Sequence, residues 1–299
     1  MKRKVSFWVC ALLIGGLLGS VPIYAEMDLE FVGEWYVEGS PAWVAVHDPS
    51  GEVFVNINNN YRIVRYGADG DVLLQFGREG EIPVGIAVDW EGNSVVAVNI
   101  NNNYRVVKYS PDGEVLAEWE GEGEPRGIAL DPEGNSVVAV NINNNYRVVK
   151  YGPGGEPLAF WNGEGEPTAV AVDAEGNSVV AVNINNNYRV VKYSADGEFI
   201  TSWHVVAGVI ETSGITVGPG GEVFVTINDN HRVVAYSAEG GPLGEFGSQG
   251  SAPGQFLYPQ GIAMTSAGLI YIADSGNNRI QVWDVWEEDP PSRGTSTST

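Results

Sequence analysis

The string Gly-Asn-Ser-Val-Val-Ala-Val-Asn-Ile-Asn-Asn-Asn-Tyr-Arg-Val-Val-Lys-Tyr occurs three times without a change, starting at Gly92, Gly134 and Gly176. The starts lie 42 residues apart. A period of this length means stacked supersecondary units, each able to bury its apolar face only against its neighbours. The repeat therefore constrains architecture more than any single residue does, and it says much less about activity.

Aligning the chain on the arginine of that string gives Arg62, Arg105, Arg147, Arg189, Arg232 and Arg279, hence six units. Each opens with a short apolar strand, such as Gly85-Ile86-Ala87-Val88 or Gly261-Ile262-Ala263-Met264, and most then turn at Asp-x-x-Gly, as in Asp89-Trp90-Glu91-Gly92. Asp and Gly at those offsets suit a hairpin turn. A second strand is expected over 94–98, then a loop of three asparagines, a third strand over 105–109, a Pro-Asp-Gly turn at 111–113 and a fourth strand ending on Trp119. β-Branched runs with turn signals every eight to twelve residues describe four-stranded antiparallel sheets, and one such sheet per unit is a propeller blade.

The fourth-strand aromatic gives an independent count: Trp35, Phe76, Trp119, Trp161, Trp203 and Phe246. The first of these precedes any complete unit, whereas the last unit runs past Arg279 and Trp283 into Val285-Trp286-Glu287-Glu288-Asp289-Pro290-Pro291 without a fourth strand of its own. The segment Phe31-Val32-Gly33-Glu34-Trp35 is expected to supply it, closing the ring and removing an open sheet edge. The expected fold is all-β: a six-bladed β-propeller over 27–286, followed by a disordered Pro/Ser/Thr tail over 287–299.

Met1-Lys2-Arg3-Lys4, an apolar run over 5–18 and a small residue at Ala25 read as a signal peptide over residues 1–25. The apolar run is shorter than the ~20 residues that span a bilayer, so no membrane insertion is expected after cleavage, and the product is secreted or periplasmic. Cleavage removes Lys2, Arg3 and Lys4, taking the formal charge from −22 to −25. A chain this acidic repels phosphate backbones and anionic lipid, which excludes nucleic acid and favours neutral or cationic partners. The single cysteine, Cys10, leaves with the signal, so the mature chain takes its stability from its core rather than from disulfides.

The last unit, Gly261-Ile262-Ala263-Met264 followed by Ile270-Tyr271-Ile272-Ala273-Asp274-Ser275-Gly276-Asn277-Asn278-Arg279-Ile280-Gln281-Val282, closely resembles the NHL repeat. The resemblance implies a six-bladed propeller closed by its N-terminal strand, in agreement with the strand count. Units one to five depart from the pattern: Asn99 to Arg105 carries one residue more than Asp274 to Arg279 and lacks the Asp. That change falls in a loop the family uses for contacts, so no family ligand carries over.

In a propeller the loops between second and third strands share a face with the blade-to-blade connections. Here those are the asparagine loops and the Gly-Glu-Gly-Glu-Pro connectors, so one face is ringed with amides and carboxylates. Asn60, Asn103, Asn145, Asn187, Asn230 and Asn277, two before each Arg, are read as structural, as are the six arginines, which are expected to tie one blade to its neighbour. Asn58, Asn59, Asn101, Asn102, Asn143, Asn144, Asn185 and Asn186 are the candidates for recognition, with Glu122 and Glu164 beside them. Calcium would call on the connector glutamates, but these lack the ligand spacing of a dedicated calcium loop, so no cofactor is expected. Tyr66, Tyr109, Tyr151, Tyr193 and Tyr236 are expected in the core.

Some relatives of the resembled family are lyases with a histidine-bound metal in the central channel. This chain has 3 histidines. His47 falls on the opposite face, and His204 and His231 on the loop-bearing face, with Glu211 and Asp229 near in sequence; they are the weaker, metal-based alternative, and nothing supplies a third ligand. Lactonase-type catalysis needs unlike residues converging from different blades, whereas Asp89, Asp131 and Asp173 are equivalent and already explained as turn residues. Near-identical units suit several equal contacts with an extended partner. The expectation is an exported, acidic, monomeric binding scaffold for a protein or glycan, without catalytic residues; a metal-dependent lyase or hydrolase is the alternative.

Overall fold

The computed structural model describes residues 28–58, 62–205 and 212–286. They form six four-stranded antiparallel sheets, the blades of an all-β propeller. The expected signal segment with Cys10, Asn59, Asn60, Glu211 and the expected tail over 287–299 lie outside the described residues.

The third blade shows the unit. From the axis outward its strands are Glu124–Leu130, Ser136–Ile142, Asn145–Tyr151 and Pro157–Glu164. The first, second, fourth and fifth blades repeat this over 41–76, 82–122, 166–204 and 212–246. The sixth has Pro259–Met264, Leu269–Asp274 and Arg279–Trp286, and takes Asp28–Tyr36 as its outer strand, in register from Asp28↔Trp286 to Tyr36↔Arg279 with a bulge at Phe31/Gly33. The first strands touch in sequence around the ring, the sixth blade's against the first blade's.

The valine runs become second strands because those strands are covered on both faces. Val137, Val138, Ala139 and Val140 are all buried, which is why they read as a continuous apolar run rather than an alternation. Each of the six blade interfaces has its own apolar cluster. The third-strand tyrosines are buried there, in edge or tilted contact with the outer-strand aromatic of the preceding blade: Phe76 with Tyr109 at 5.1 Å, Trp119 with Tyr151 at 6.0 Å and Trp161 with Tyr193 at 6.3 Å between centroids.

Two strand boundaries differ from the sequence reading. The third strand of the second blade begins at Asn103 rather than Arg105, leaving only Asn101 and Asn102 as the turn, with φ of 46° and 66°. Two consecutive left-handed residues are the backbone of a two-residue hairpin whose twist matches its strands, and Asn tolerates that region better than most residues. The fourth strand continues past Trp119 to Glu122. Gly121 makes this continuation feasible, because a Cβ on it would lie 2.2 Å from Cζ of the buried Tyr104 ring. The supposed Glu-rich connector loops are therefore strand ends: Glu122 and Glu124 belong to adjacent strands, and only Gly123, at φ 102°, joins them.

Candidate binding face

One end of the barrel carries the asparagine turns and the single-glycine crossovers. Asn101, Asn102, Asn143, Asn144, Asn185 and Asn186 are all exposed and all at positive φ, so each turn holds its backbone in the left-handed region while its amides face solvent. Asn58 is exposed too, and its N–H donates to Ser40 O at 3.0 Å. The next residue of each loop pairs across to the neighbouring strand: Asn103 stands opposite Glu122 and Asn145 opposite Glu164. An amide and a carboxylate thus sit side by side at the same height in consecutive blades. In the third blade this pair borders a recess of about 420 Å³ lined also by Ile142, Tyr146, Arg147 and Asn162.

The six arginines divide into two kinds. Five bond mainly within their own blade, to the outer strand: Arg62 to Gln75, Arg105 to Glu120, Arg147 to Asn162, Arg189 to Ser202 and Arg232 to Glu245. Arg105 also reaches Glu81 of the crossover before its blade, at 2.8 Å, and the Glu120 hydrogen bond, with Glu81 and Glu118 close by, raises its already high pKa. Arg147 lies over the exposed Phe160 ring at 4.9 Å. The expected tie to a neighbouring blade takes another form at Arg279, which clamps its own blade to the crossover before it. Its guanidinium is buried, bonds Asp274 at 2.6 Å and Glu34 of the closing strand at 2.9 Å, and donates to the carbonyls of Ser251, Ala252 and Gln255. Asp274 in turn accepts from Asn277, Gln281 and the Leu257 N–H. The Asp that the first five units lack is thus what anchors the longer crossover before the sixth blade.

His204 and His231 each have a neighbour of their own. His204 Nδ1 lies 2.9 Å from Asn187 Oδ1. His231 is buried, and its Nδ1 accepts from the Tyr258 N–H at 3.0 Å, which occupies that lone pair. Among the described residues no three His, Cys, Asp or Glu side chains gather as a metal site.

The axis holds a residue that periodicity did not single out. Where the other first strands carry Gly85, Gly127, Ala169, Gly214 and Gly261, the first blade carries Trp43. The small residues let the strands close in: a Cβ on Gly85 would lie 2.9 Å from Ile128 N, and one on Gly261 2.7 Å from Trp43 Cα. Trp43 packs against the cluster between the first and second blades and also against the one between the fourth and fifth, so its indole lies across the axis. The break in the small-residue column at Trp43 was the available signal.

At the opposite end, Asp89, Asp131 and Asp173 are equivalent buried carboxylates paired with Lys108, Lys150 and Lys192 at 2.9, 2.7 and 2.8 Å. Burial alone would push these carboxyls up, but hydrogen bonds from the lysine and from Asn93, Asn135 or Asn177 outweigh it and hold them below the ordinary range.

Residues 256–283, most of the last blade, match the NHL-repeat family model. No curated protein matches the chain. Among solved structures it is similar to a gluconolactonase from Xanthomonas campestris (TM-score 0.67, 14% identity, 88% of this chain and 91% of that one). It is similar also to the PQQ-bound aldose sugar dehydrogenase of Streptomyces coelicolor (0.66, 13%, 88% and 99%). A third neighbour is the β-propeller domain of Swd1 from Myceliophteria thermophila (0.62, 11%, 87% and 100%). At such identities the likeness is one of fold, and that fold carries enzymes and non-enzymes alike. The chain is a six-bladed β-propeller whose last blade carries an NHL repeat.

Proposed function

We propose that this protein is an exported binding scaffold that recognises a protein or glycan through its asparagine-and-glutamate face, without chemistry of its own. The observation that carries the reading is the threefold recurrence of one exposed arrangement: an Asn-Asn turn at positive φ in each of the second, third and fourth blades, beside an Asn–Glu pair in the second and third. Equal sites at blade spacing favour an extended partner, because each weak contact raises the effective concentration for the next. The indole of Trp43 across the axis supports the same reading, since it occupies the space a channel-centred active site would use.

The test is retention of protein and glycan ligands on arrays by the purified protein and by the triple variant Asn102→Gly, Asn144→Gly and Asn186→Gly. Glycine keeps the left-handed turn and removes only the amide. Loss of retention with an unchanged melting temperature is the expected result. Retention equal to that of the parent protein would overturn the assignment of this face.

A further inference from the structure

The first turns of the three near-identical blades differ at one position, and all three versions of it line the same recess. The first turns read Asp89-Trp90-Glu91-Gly92, Asp131-Pro132-Glu133-Gly134 and Asp173-Ala174-Glu175-Gly176. On the end of the barrel away from the asparagine turns, Trp90, Pro132 and Ala174 surround a recess of about 330 Å³ floored by Val88, Leu130 and Val172. Trp90 is 77% exposed, the highest value among the large apolar side chains described. The turn does not need an aromatic there, since its two copies hold Pro and Ala. The core does not need it either, since so little of the ring is covered. Yet its backbone is held firmly: Gly92 N–H donates to Asp89 O at 3.0 Å, the Asp89 carboxylate accepts from Glu91 N and Asn93 N, and His47 Nε2 lies 3.1 Å from Trp90 O. An exposed indole on a firmly held turn, stabilising nothing internal, is an anchor for something external.

The electrostatics of the rim select the occupant. Asp89, Asp131 and Asp173 are already satisfied by their lysines and asparagines. Each turn then adds one exposed glutamate, and no cation among the described residues pairs with Glu91, Glu133 or Glu175. The recess therefore offers an aromatic face, the turns around it add unneutralised glutamates, and its lysine donors are committed inward. A sugar needs donors as well as acceptors, whereas a guanidinium or ammonium needs only acceptors and gains further from an indole face. The chain's formal charge of −22 draws cations toward it at long range. The geometry points to a second binding site, distinct from the asparagine face, that takes an Arg or Lys side chain of a basic peptide stacked on Trp90, with Glu133 and Glu175 on the turns that carry Pro132 and Ala174 of the recess.

The test is a titration of the purified protein with an acetylated, amidated tri-arginine peptide at about 0.15 M salt, followed by its indole N–H resonances. The Trp90 resonance, assigned with Trp90→Phe, shifts saturably. Trp90→Ala weakens binding about three- to tenfold at unchanged net charge, while Trp90→Phe retains most of it. Glu133→Gln with Glu175→Gln weakens it as well and flattens its salt dependence. The Asn102→Gly, Asn144→Gly, Asn186→Gly variant binds the peptide like the parent, which separates this site from the asparagine face. Binding unaffected by Trp90→Ala would show diffuse attraction to an acidic surface and overturn the site. A Trp90 shift produced by neutral cellohexaose more readily than by the peptide would make the recess a sugar platform and overturn the cationic assignment. All variants keep the parent melting temperature, because the side chains replaced are exposed.

Discussion

Removing the Asp131 carboxylate should lower stability by about 3 kcal/mol, and the structure says why the figure is neither smaller nor larger. The carboxylate is fully buried and accepts four hydrogen bonds: from Lys150 Nζ at 2.7 Å, Asn135 N at 2.8 Å, Asn135 Nδ2 at 2.9 Å and Glu133 N at 3.1 Å. Asp131→Ala leaves an ammonium and two backbone N–H groups facing a void. Breaking a buried ion pair from one side costs ~3–5 kcal/mol. Lys150 remains 14% exposed and can swing its head to water on its flexible stem, which places the cost at the lower end. For a domain of this size ~3 kcal/mol corresponds to a drop of roughly 6–12 °C in melting temperature.

Scanning calorimetry measures the drop, and a double-mutant cycle identifies its source. Lys150→Met in the Asp131→Ala background removes the stranded charge, so the double variant should recover about 1–2 kcal/mol relative to additivity. The neighbouring blades are internal replicates: Asp173 should behave like Asp131, and the slightly exposed Asp89 should cost less. A fall below about 2 °C for Asp131→Ala, or a strictly additive cycle, would refute the view that the turn carboxylate is a structural ion-pair partner.

Acid titration follows from the same three carboxyls. Folding holds them below the usual value of about 3.9, so their contribution is complete above that value and is lost as pH falls through the folded values; the melting temperature should fall steeply below about pH 4. At the alkaline end, burial and then Glu38 push the Tyr66 hydroxyl up to about 12, and Tyr104 and Tyr146 higher still, so phenolate absorbance should lag behind that of a free tyrosine until the fold is lost. Gly121→Ala should destabilise by about 2–4 kcal/mol in chemical denaturation, since the new Cβ displaces Tyr104 and breaks its hydroxyl contact with Tyr151, whereas Tyr104→Phe should cost only about 1 kcal/mol. Deleting residues 28–36 removes the outer strand of the sixth blade together with the Glu34 partner of Arg279, and light scattering should then show association through the exposed edge of Arg279–Trp286.

The architecture was legible because the property that builds it is periodic. Six arginines, six outer-strand aromatics and the offset of Trp35 suffice to count the blades and to close the ring, and the strand order agrees with both. The boundaries at Asn103 and Glu122 were less legible, since strand ends depend on twist and on whether a glycine clears a neighbouring ring, and neither quantity is periodic. The same holds for the arginines. One residue type at one position is a surface pair in Arg232 and a buried clamp in Arg279, and what separates them is the Asp five residues earlier and the length of the preceding crossover.

Identity between repeats and departure from it carry different information. Where three blades agree letter for letter, the buried residues answer to the blade itself: valines for two covered faces, Tyr for the next interface, Lys for the turn carboxylate; the exposed Asn-Asn turns are the repeated part that faces outward. A position freed from that common duty is free to serve the single copy in which it sits. Trp43 breaks a column of glycine and alanine and puts an indole across the axis; Trp90 breaks a turn that Pro132 and Ala174 complete as well, and remains in solvent. The first departure fills space the ring would otherwise leave, so its cause lies within the fold. The second fills nothing, and its cause has to be sought in a partner. In a chain of repeats this distinction between an odd residue that packs and one that does not is the sharpest available separator of scaffold from site, because the neighbouring copies show what the position requires when only the fold is at stake.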